Sequence, residues 1–305
     1  MLLKGILYSN IFAAVAFTLA YTAMNLNRDI GGIISWAEFV LVPVAMGAIA
    51  MKQWRRIQKS KWWILLYAVI NTLVAIALSA LFMGEGVICL IIVSPLLLGF
   101  MWVGVLVGNY VLWRSNNTII KASTVLIYMV LFLIDVFSYH GYSNMVSDEL
   151  VIHAPPSVVW QYVAAHPLNE AKSEYWLFDV GLPRPVQSTI SADSVGAERK
   201  CIFSNGATFD EVIVQNDRDS VFTFDIVKQP VDPEIIGHIN IERGQFILQG
   251  NTDGTTTLIG NSWYTLKVYP AWYYDLWAVD VTRNVHLRVM YHIKRLAEHD
   301  VQVYR

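Results

Sequence analysis

The chain has 305 residues, 55% hydrophobic and only 15% charged, with a mean hydropathy of +0.44. Nine Lys/Arg and four Asp/Glu lie up to Met145, and thirteen and twenty follow, so a charge-poor basic half precedes a charge-rich acidic one. The acidic half argues against nucleic acid as a partner, since phosphate binding needs a basic face. Two cysteines, Cys89 and Cys201, one in each half, exclude a disulfide framework and a Cys-rich metal site.

Five apolar stretches occupy the first half: about residues 6–24, 33–51, 62–83, 87–113 and 122–139. Each approaches the ~20 residues that a helix needs to cross ~30 Å of hydrocarbon. Backbone amides in lipid must bond within the segment, so these are expected to be helices. Only Lys4 precedes the first stretch and further spans follow it, so it reads as a retained helix rather than a cleaved signal. Trp36, Trp54, Trp62, Trp63, Trp102 and Trp113 lie mostly near the expected ends, as an aromatic belt would.

The short connections set the expected orientation. Lys4, Lys52, Arg55, Arg56, Lys59, Lys61, Arg114 and Lys121 share one side if there are five spans. Arg28 stands alone on the other, where the Met83-Gly84-Glu85-Gly86 connection carries no positive charge. Positive charge stays inside, which puts the N-terminus in the cytoplasm and the second half outside it; one span more or fewer reverses the second assignment. Of the polar residues within spans, Glu38, Asn71, Asn109 and Asp135 read as interfacial or helix-to-helix hydrogen bonding, with a proton relay or transport role as the alternative. Matched broken helices, the mark of a repeat-built transporter, are not evident. Pro95, Gly99, Gly104 and Gly108 suit close helix packing.

The second half opens through residues 140–144. Leu150–Ala154 reads as a strand and Pro155-Pro156-Ser157 as the start of a helix, with Val158, Val159, Tyr162 and Val163 at helical spacing until Pro167. Asp179–Gln187 reads as a Gly/Pro-rich loop. Strands follow at residues 198–203, 208–214, 221–227, 244–249 and 255–267, with turns at Asn205-Gly206 and Asp253-Gly254. Pro270 then opens a long helix, about residues 272–299. Strand, helix, antiparallel strands and long helix make an α+β layer, a curved sheet gripping one helix. The domains are therefore residues 1–145, a multi-pass helical membrane bundle, and residues 146–305, a water-soluble α+β domain.

Particular stretches carry a resemblance: Val151-Ile152-His153-Ala154-Pro155-Pro156-Ser157-Val158-Val159-Trp160, then Gly196-Ala197-Glu198-Arg199-Lys200-Cys201-Ile202-Phe203 with Asn205-Gly206 and Asp210-Glu211-Val212. Gly244–Leu248 with Gly254–Leu258, and His292–Glu298, complete it. This half resembles the START-like (SRPBCC, helix-grip) superfamily, especially its polyketide cyclase/dehydrase-like branch, from about Asp148 to His299. The membrane half is outside the resemblance. The resemblance implies a cavity between sheet and long helix that holds an apolar ligand. It does not decide activity, since the superfamily includes carriers, receptors and cyclases.

A two-residue loop at Asn205-Gly206 would pair Ser204 with Ala207, Cys201 with Asp210 and Lys200 with Glu211. Arg199, Cys201, Phe203, Asp210, Val212 and Val214 would then share one face, taken as the cavity face. Arg199 and Asp210, diagonal on it, read either as a ligand anchor or catalytic pair, or as a cross-strand pair that satisfies itself. Lys200 and Glu211 read as a surface pair. Phe224, Trp263, Trp277 and Arg288 complete the candidate ligand-binding set. His286 and His292 are six apart on the long helix and do not share a face as a zinc pair four apart would, so no metal site and no cofactor is expected. His238 reads as an ordinary polar residue and Cys201 as a small buried apolar one. The expected partners are a lipid or other apolar small molecule, the membrane, and a membrane protein if the chain is a sensor or assembly subunit. The expected function is non-enzymatic binding, with an enzyme such as a cyclase, dehydratase or hydrolase acting in the same cavity as the rival.

Overall fold

The computed structural model describes residues 1–26, 36–55, 60–83, 86–112, 118–136, 141–172, 174–232, 234 and 238–303. Arg28, Arg56, Lys59, Gly84, Glu85, Trp113, Arg114, His140 and Gly237, used in the sequence reading, lie outside the described residues. The chain divides into two compact units, residues 1–141 with 267–272, and residues 142–266 with 273–305.

The N-terminal unit is helical. Helix α1 spans Leu2–Leu26, and a π-helical turn, Ala37–Leu41, runs into α2, Val42–Trp54. Helix α3 spans Lys61–Met83, α4 Val87–Val107 and α5 Thr118–Val136, with a π-helical turn, Gly108–Leu112, after α4. Among the described residues, three segments, Leu2–Leu19, Lys61–Leu81 and Val87–Tyr110, are long and apolar enough to cross a membrane, and Ala122–Asp135 is a shorter apolar stretch. Small residues bring α2 against α4: a Cβ on Gly47 would fall 2.1 Å from the Met101 carbonyl oxygen, and one on Gly104 2.0 Å from that of Val44. Asn71 is buried and donates to Ser9 Oγ, while Asn10 donates to its Oδ1, tying α3 to α1. Asp135 accepts the backbone N–H of Ala37, a helix-to-helix bond, one of the two readings of that residue. Leu7, Ile11, Val15, Leu126, Leu133 and Ile134 point outward, apolar faces that water would disfavour.

The C-terminal unit is a seven-stranded antiparallel sheet with a long helix. Its strands are β1 Tyr142–Ile152, β2 Pro185–Ile190, β3 Glu198–Phe203, β4 Thr208–Asp217, β5 Val221–Lys228, β6 Ile239–Gly250 and β7 Thr256–Leu266. They lie in the order β1-β7-β6-β5-β4-β3-β2. Two short helices, α6 Pro156–Val163 and α7 Trp176–Val180, link the two edges, and α8 spans Ala271–Val303. Register shifts in β2, β4 and β6 bend the strands. The architecture is that of a helix-grip fold. Its core joins Ile152, Val159 and Val163 to Ile213, Phe222, Phe246, Leu248 and Leu258, and to Val289, Met290, Ile293 and Ala297 of α8.

Three expectations need correction. β1 begins at Tyr142 rather than Leu150, and its first residues already pair with β7, Tyr142 opposite Leu266. The Gly/Pro-rich stretch holds α7 and β2; Pro185 is tolerated because it opens an edge strand, where its missing N–H interrupts no ladder. The Asn205-Gly206 hairpin has a three-residue loop. Gly206 donates to the Phe203 carbonyl and Phe203 to that of Ala207, and only Gly206 has a positive φ, of 83°. A two-residue type I′ turn needs positive φ at both central residues. The pairing is therefore Arg199 with Glu211, Lys200 with Asp210 and Cys201 with Phe209. A one-residue slip exchanges the faces of β4.

Candidate functional site

The inner face of the sheet and one face of α8 enclose a cavity of about 230 Å³. Its walls are largely apolar: Phe203, Phe209, Phe224, Ile226, Ile241 and Phe246 from the strands, Ala278, Val281, Val285 and Val289 from α8. The C-terminal half of α8 packs solidly through Val289, Met290, Ile293 and Ala297. Its N-terminal half presents smaller residues to the sheet, and the space opens there. Gly244 helps shape the wall, since a Cβ would fall 2.3 Å from the Phe224 ring.

Polar residues interrupt these walls, Asp232, Glu234, Gln245, Asn261 and Thr282 among them, and three further groups are largely buried. The first is the ion pair of Arg199 and Glu211, buried at 3% and 5% exposure. Arg199 also donates from Nε to the Ala164 carbonyl at 2.9 Å and lies 4.3 Å over the Phe224 ring. Burial holds the Glu211 carboxyl above the usual carboxylate range, and the Arg199 guanidinium offsets this only in part. The second is His166. Its Nδ1 lies 3.2 Å from the Pro167 carbonyl and must donate there, leaving Nε2 as a bare acceptor. That Nε2 is buried with no hydrogen-bond partner among the described residues. The third joins Ser262 of β7, His286 of α8 and Asp148 of β1: His286 Nε2 is 2.7 Å from Ser262 Oγ, and its Nδ1 is 3.0 Å from Asp148 Oδ2. Ser262 and His286 line the cavity. Burial pushes the Asp148 carboxyl up, but hydrogen bonds from His286 and Arg283 outweigh it and hold it below its ordinary range.

Of the candidate residues from sequence, Arg199, Cys201, Phe203 and Phe224 line the cavity. Asp210 and Val212 do not, because the three-residue loop turns them to the outer face, where Asp210 lies 3.5 Å from Lys200 as the solvated pair. Arg199 is thus paired with Glu211 rather than Asp210. Trp263 flanks the inward Ser262 and Tyr264 and faces away, and Trp277 is half-buried outside the cavity lining. Arg288 is buried but structural: it donates to the carbonyls of Pro185, Ala171 and Asn169 and so pins the α7 region to α8. Burial pushes the Cys201 thiol up to about 12, which leaves it protonated and unreactive. His166, Glu211, Ser262 and Asp148 are the residues missed. The alternation Val146, Asp148, Leu150, Ile152 puts a carboxylate on a core face, a signal hidden by starting the strand at Leu150.

No family model matches the chain, and no curated protein does. Solved structures similar to it include a protein of Nitrosospira multiformis, at 18% identity over 50% of this chain and 94% of that one, TM-score 0.35. Truncated norcoclaurine synthase from Thalictrum flavum is 12% identical over 52% and 96%, TM-score 0.37. The protein XoxI from Bacillus cereus is 15% identical over 52% and 98%, TM-score 0.35.

The buried His166 makes a prediction. Burial lowers its pKa from 6.5 to about 4. Between those values the unfolded chain binds a proton that the folded one refuses, so stability falls as pH drops through the window. The loss attributable to this group approaches about 3 kcal/mol at the acid end. Urea unfolding of the C-terminal unit in the intact chain, at pH 6.5 and pH 4.5, should show a clearly steeper loss for the wild type than for His166→Gln. Equal losses would contradict the assignment.

Proposed function

We propose that the C-terminal unit is a START-like domain that binds a small apolar molecule bearing one polar group, and that the N-terminal helices hold it at a membrane. The observation that carries this is the cavity itself. Filling it with side chains would have stabilised the fold by as much as roughly 5 kcal/mol at ~24 cal/mol per Å³. The space is instead kept, walled with aromatic rings and polar at a few points. Its size and apolar walls suit an alkyl chain or a compact ring system. The ligand's polar group would lie against the polar side chains of the wall, Arg199, Glu211 and Ser262 among them. Tethering supports the reading physically, because an apolar ligand concentrates in the bilayer, and residues 137–141 alone connect α5 to β1.

The full chain in lipid nanodiscs, irradiated with a clickable octanol carrying a photoreactive diazirine, tests the binding. Crosslinks should map to cavity walls, on peptides containing Cys201, Phe224 or Val285. Val285→Trp should remove them while leaving the melting temperature unchanged. Crosslinks confined to α1–α5 would overturn the proposal.

The basic connections favour a cytoplasmic N-terminus and, with five spans, an extracytoplasmic C-terminal unit. In a chain with Cys89 and Cys201 replaced by serine, Ser60→Cys should react with an impermeant thiol reagent only in permeabilised cells, and Asn251→Cys in intact ones. The reverse pattern would contradict this orientation.

A further inference from the structure

Ser262, His286 and Asp148 come from β7, α8 and β1, and they meet at the cavity wall in a fixed order. The Ser262 hydroxyl donates to His286 Nε2 across 2.7 Å, and His286 Nδ1 donates to Asp148 across 3.0 Å. An ionised carboxylate can only accept, so its place on Nδ1 fixes the tautomer and leaves Nε2 as a base toward the hydroxyl. Both ends are braced. Arg283 Nε donates to the other Asp148 oxygen at 2.8 Å. Gly260, two residues before Ser262, has no side chain; a Cβ there would lie 3.0 Å from Met290 Sδ and 3.9 Å from His286 Cγ, so its absence lets α8 seat the imidazole against β7. The Asp148 and His286 side chains are 9% and 8% exposed, shielded from competing water. Nucleophile, base and orienting acid in this order are what activates a serine hydroxyl. Three polar groups that only satisfied one another could have been replaced by apolar residues at little cost. These instead expose their hydroxyl end to a cavity fit for an apolar substrate.

We propose that Ser262 is a nucleophile toward small apolar esters or thioesters, with His286 as its base and Asp148 as the positioning residue. This rests on the cavity admitting such molecules. Ser262 Oγ attacks the acyl carbonyl carbon as its proton passes to His286 Nε2. The bond from that carbon to the leaving oxygen or sulfur breaks, and the leaving group takes the proton from Nε2. Water then attacks the acyl carbon, giving one proton to Nε2; the bond from that carbon to Ser262 Oγ breaks, Oγ takes the proton back from Nε2, and the acid leaves. An ester and water become an acid and an alcohol, with no other reactant needed. Thr282, one turn before His286, also lines the cavity. A site without a set of donors aimed at the developing oxyanion loses about 10²–10³ in rate for each donor missing. The signature is therefore stoichiometric modification of Ser262 rather than rapid turnover.

The full chain in nanodiscs, treated with a small alkyl fluorophosphonate, provides the test. One adduct should form at Ser262 with loss of fluoride, read by intact mass and peptide mapping. Ser262→Ala should abolish it. His286→Gln, which keeps a hydrogen-bonding side chain, should slow it about a hundredfold, and Asp148→Asn should also slow it, with melting temperatures confirming that each variant folds. No adduct at Ser262 in protein that still takes the octanol photoprobe into its cavity would overturn the nucleophile and leave the binding reading standing. An adduct forming equally fast in His286→Gln would overturn the relay. If the photoprobe also stays out of the cavity, both readings fall.

Discussion

Helix α8 serves two incompatible neighbours along one face. Toward its C-terminus Val289, Met290, Ile293 and Ala297 interdigitate with Phe222, Phe246, Leu248 and Leu258 and close the core. Toward its N-terminus Ala278, Val281, Thr282 and Val285 are too small to reach the curled sheet, and the gap is the cavity. The packed half holds the helix in place; the unpacked half makes room. The contact of His286 with Ser262 and Asp148 depends on that seat. His286 reaches Ser262 and Asp148 because Gly260 lets the helix approach β7. Arg288, one half-turn on, ties the α7 region to the same helix through three carbonyls.

Low dielectric gives the polar groups their character. In water the Arg199–Glu211 pair would contribute little; at 3% and 5% exposure, loss of either partner strands a buried charge. His166, with a carbonyl on Nδ1 and no partner on Nε2 among the described residues, is held neutral by the same burial. A ligand that binds the folded cavity alone would stabilise the fold that holds it.

The broad pattern was legible because it rests on periodicity. The apolar stretches of the first half became helices, and β3, β4, β5 and α8 lie close to their expected limits, since apolar alternation and the long 3.6-residue period leave few alternatives. Detail was lost where one residue changes the answer. Asn205-Gly206 allows a two- or a three-residue loop, and only the backbone angle at Asn205 separates them; the wrong choice placed Asp210 and Val212 inside and Glu211 outside. The second loss came from partners distant in sequence. Asp148, Ser262 and His286 carry no local motif, and only the pairing of β1 with β7 and the seat of α8 bring them together. His166 lies in an irregular stretch after α6, where periodicity says nothing.

The central claim, that the space between the sheet and α8 is kept for a small apolar molecule, meets its most direct test in native mass spectrometry of the intact chain released from nanodiscs without harsh detergent. The account predicts a noncovalent adduct with the mass of one small amphiphile, present in the wild type and absent from Val285→Trp. A bare chain mass for the wild type after incubation with medium-chain alcohols and acids, or the same adduct on both proteins, would contradict it.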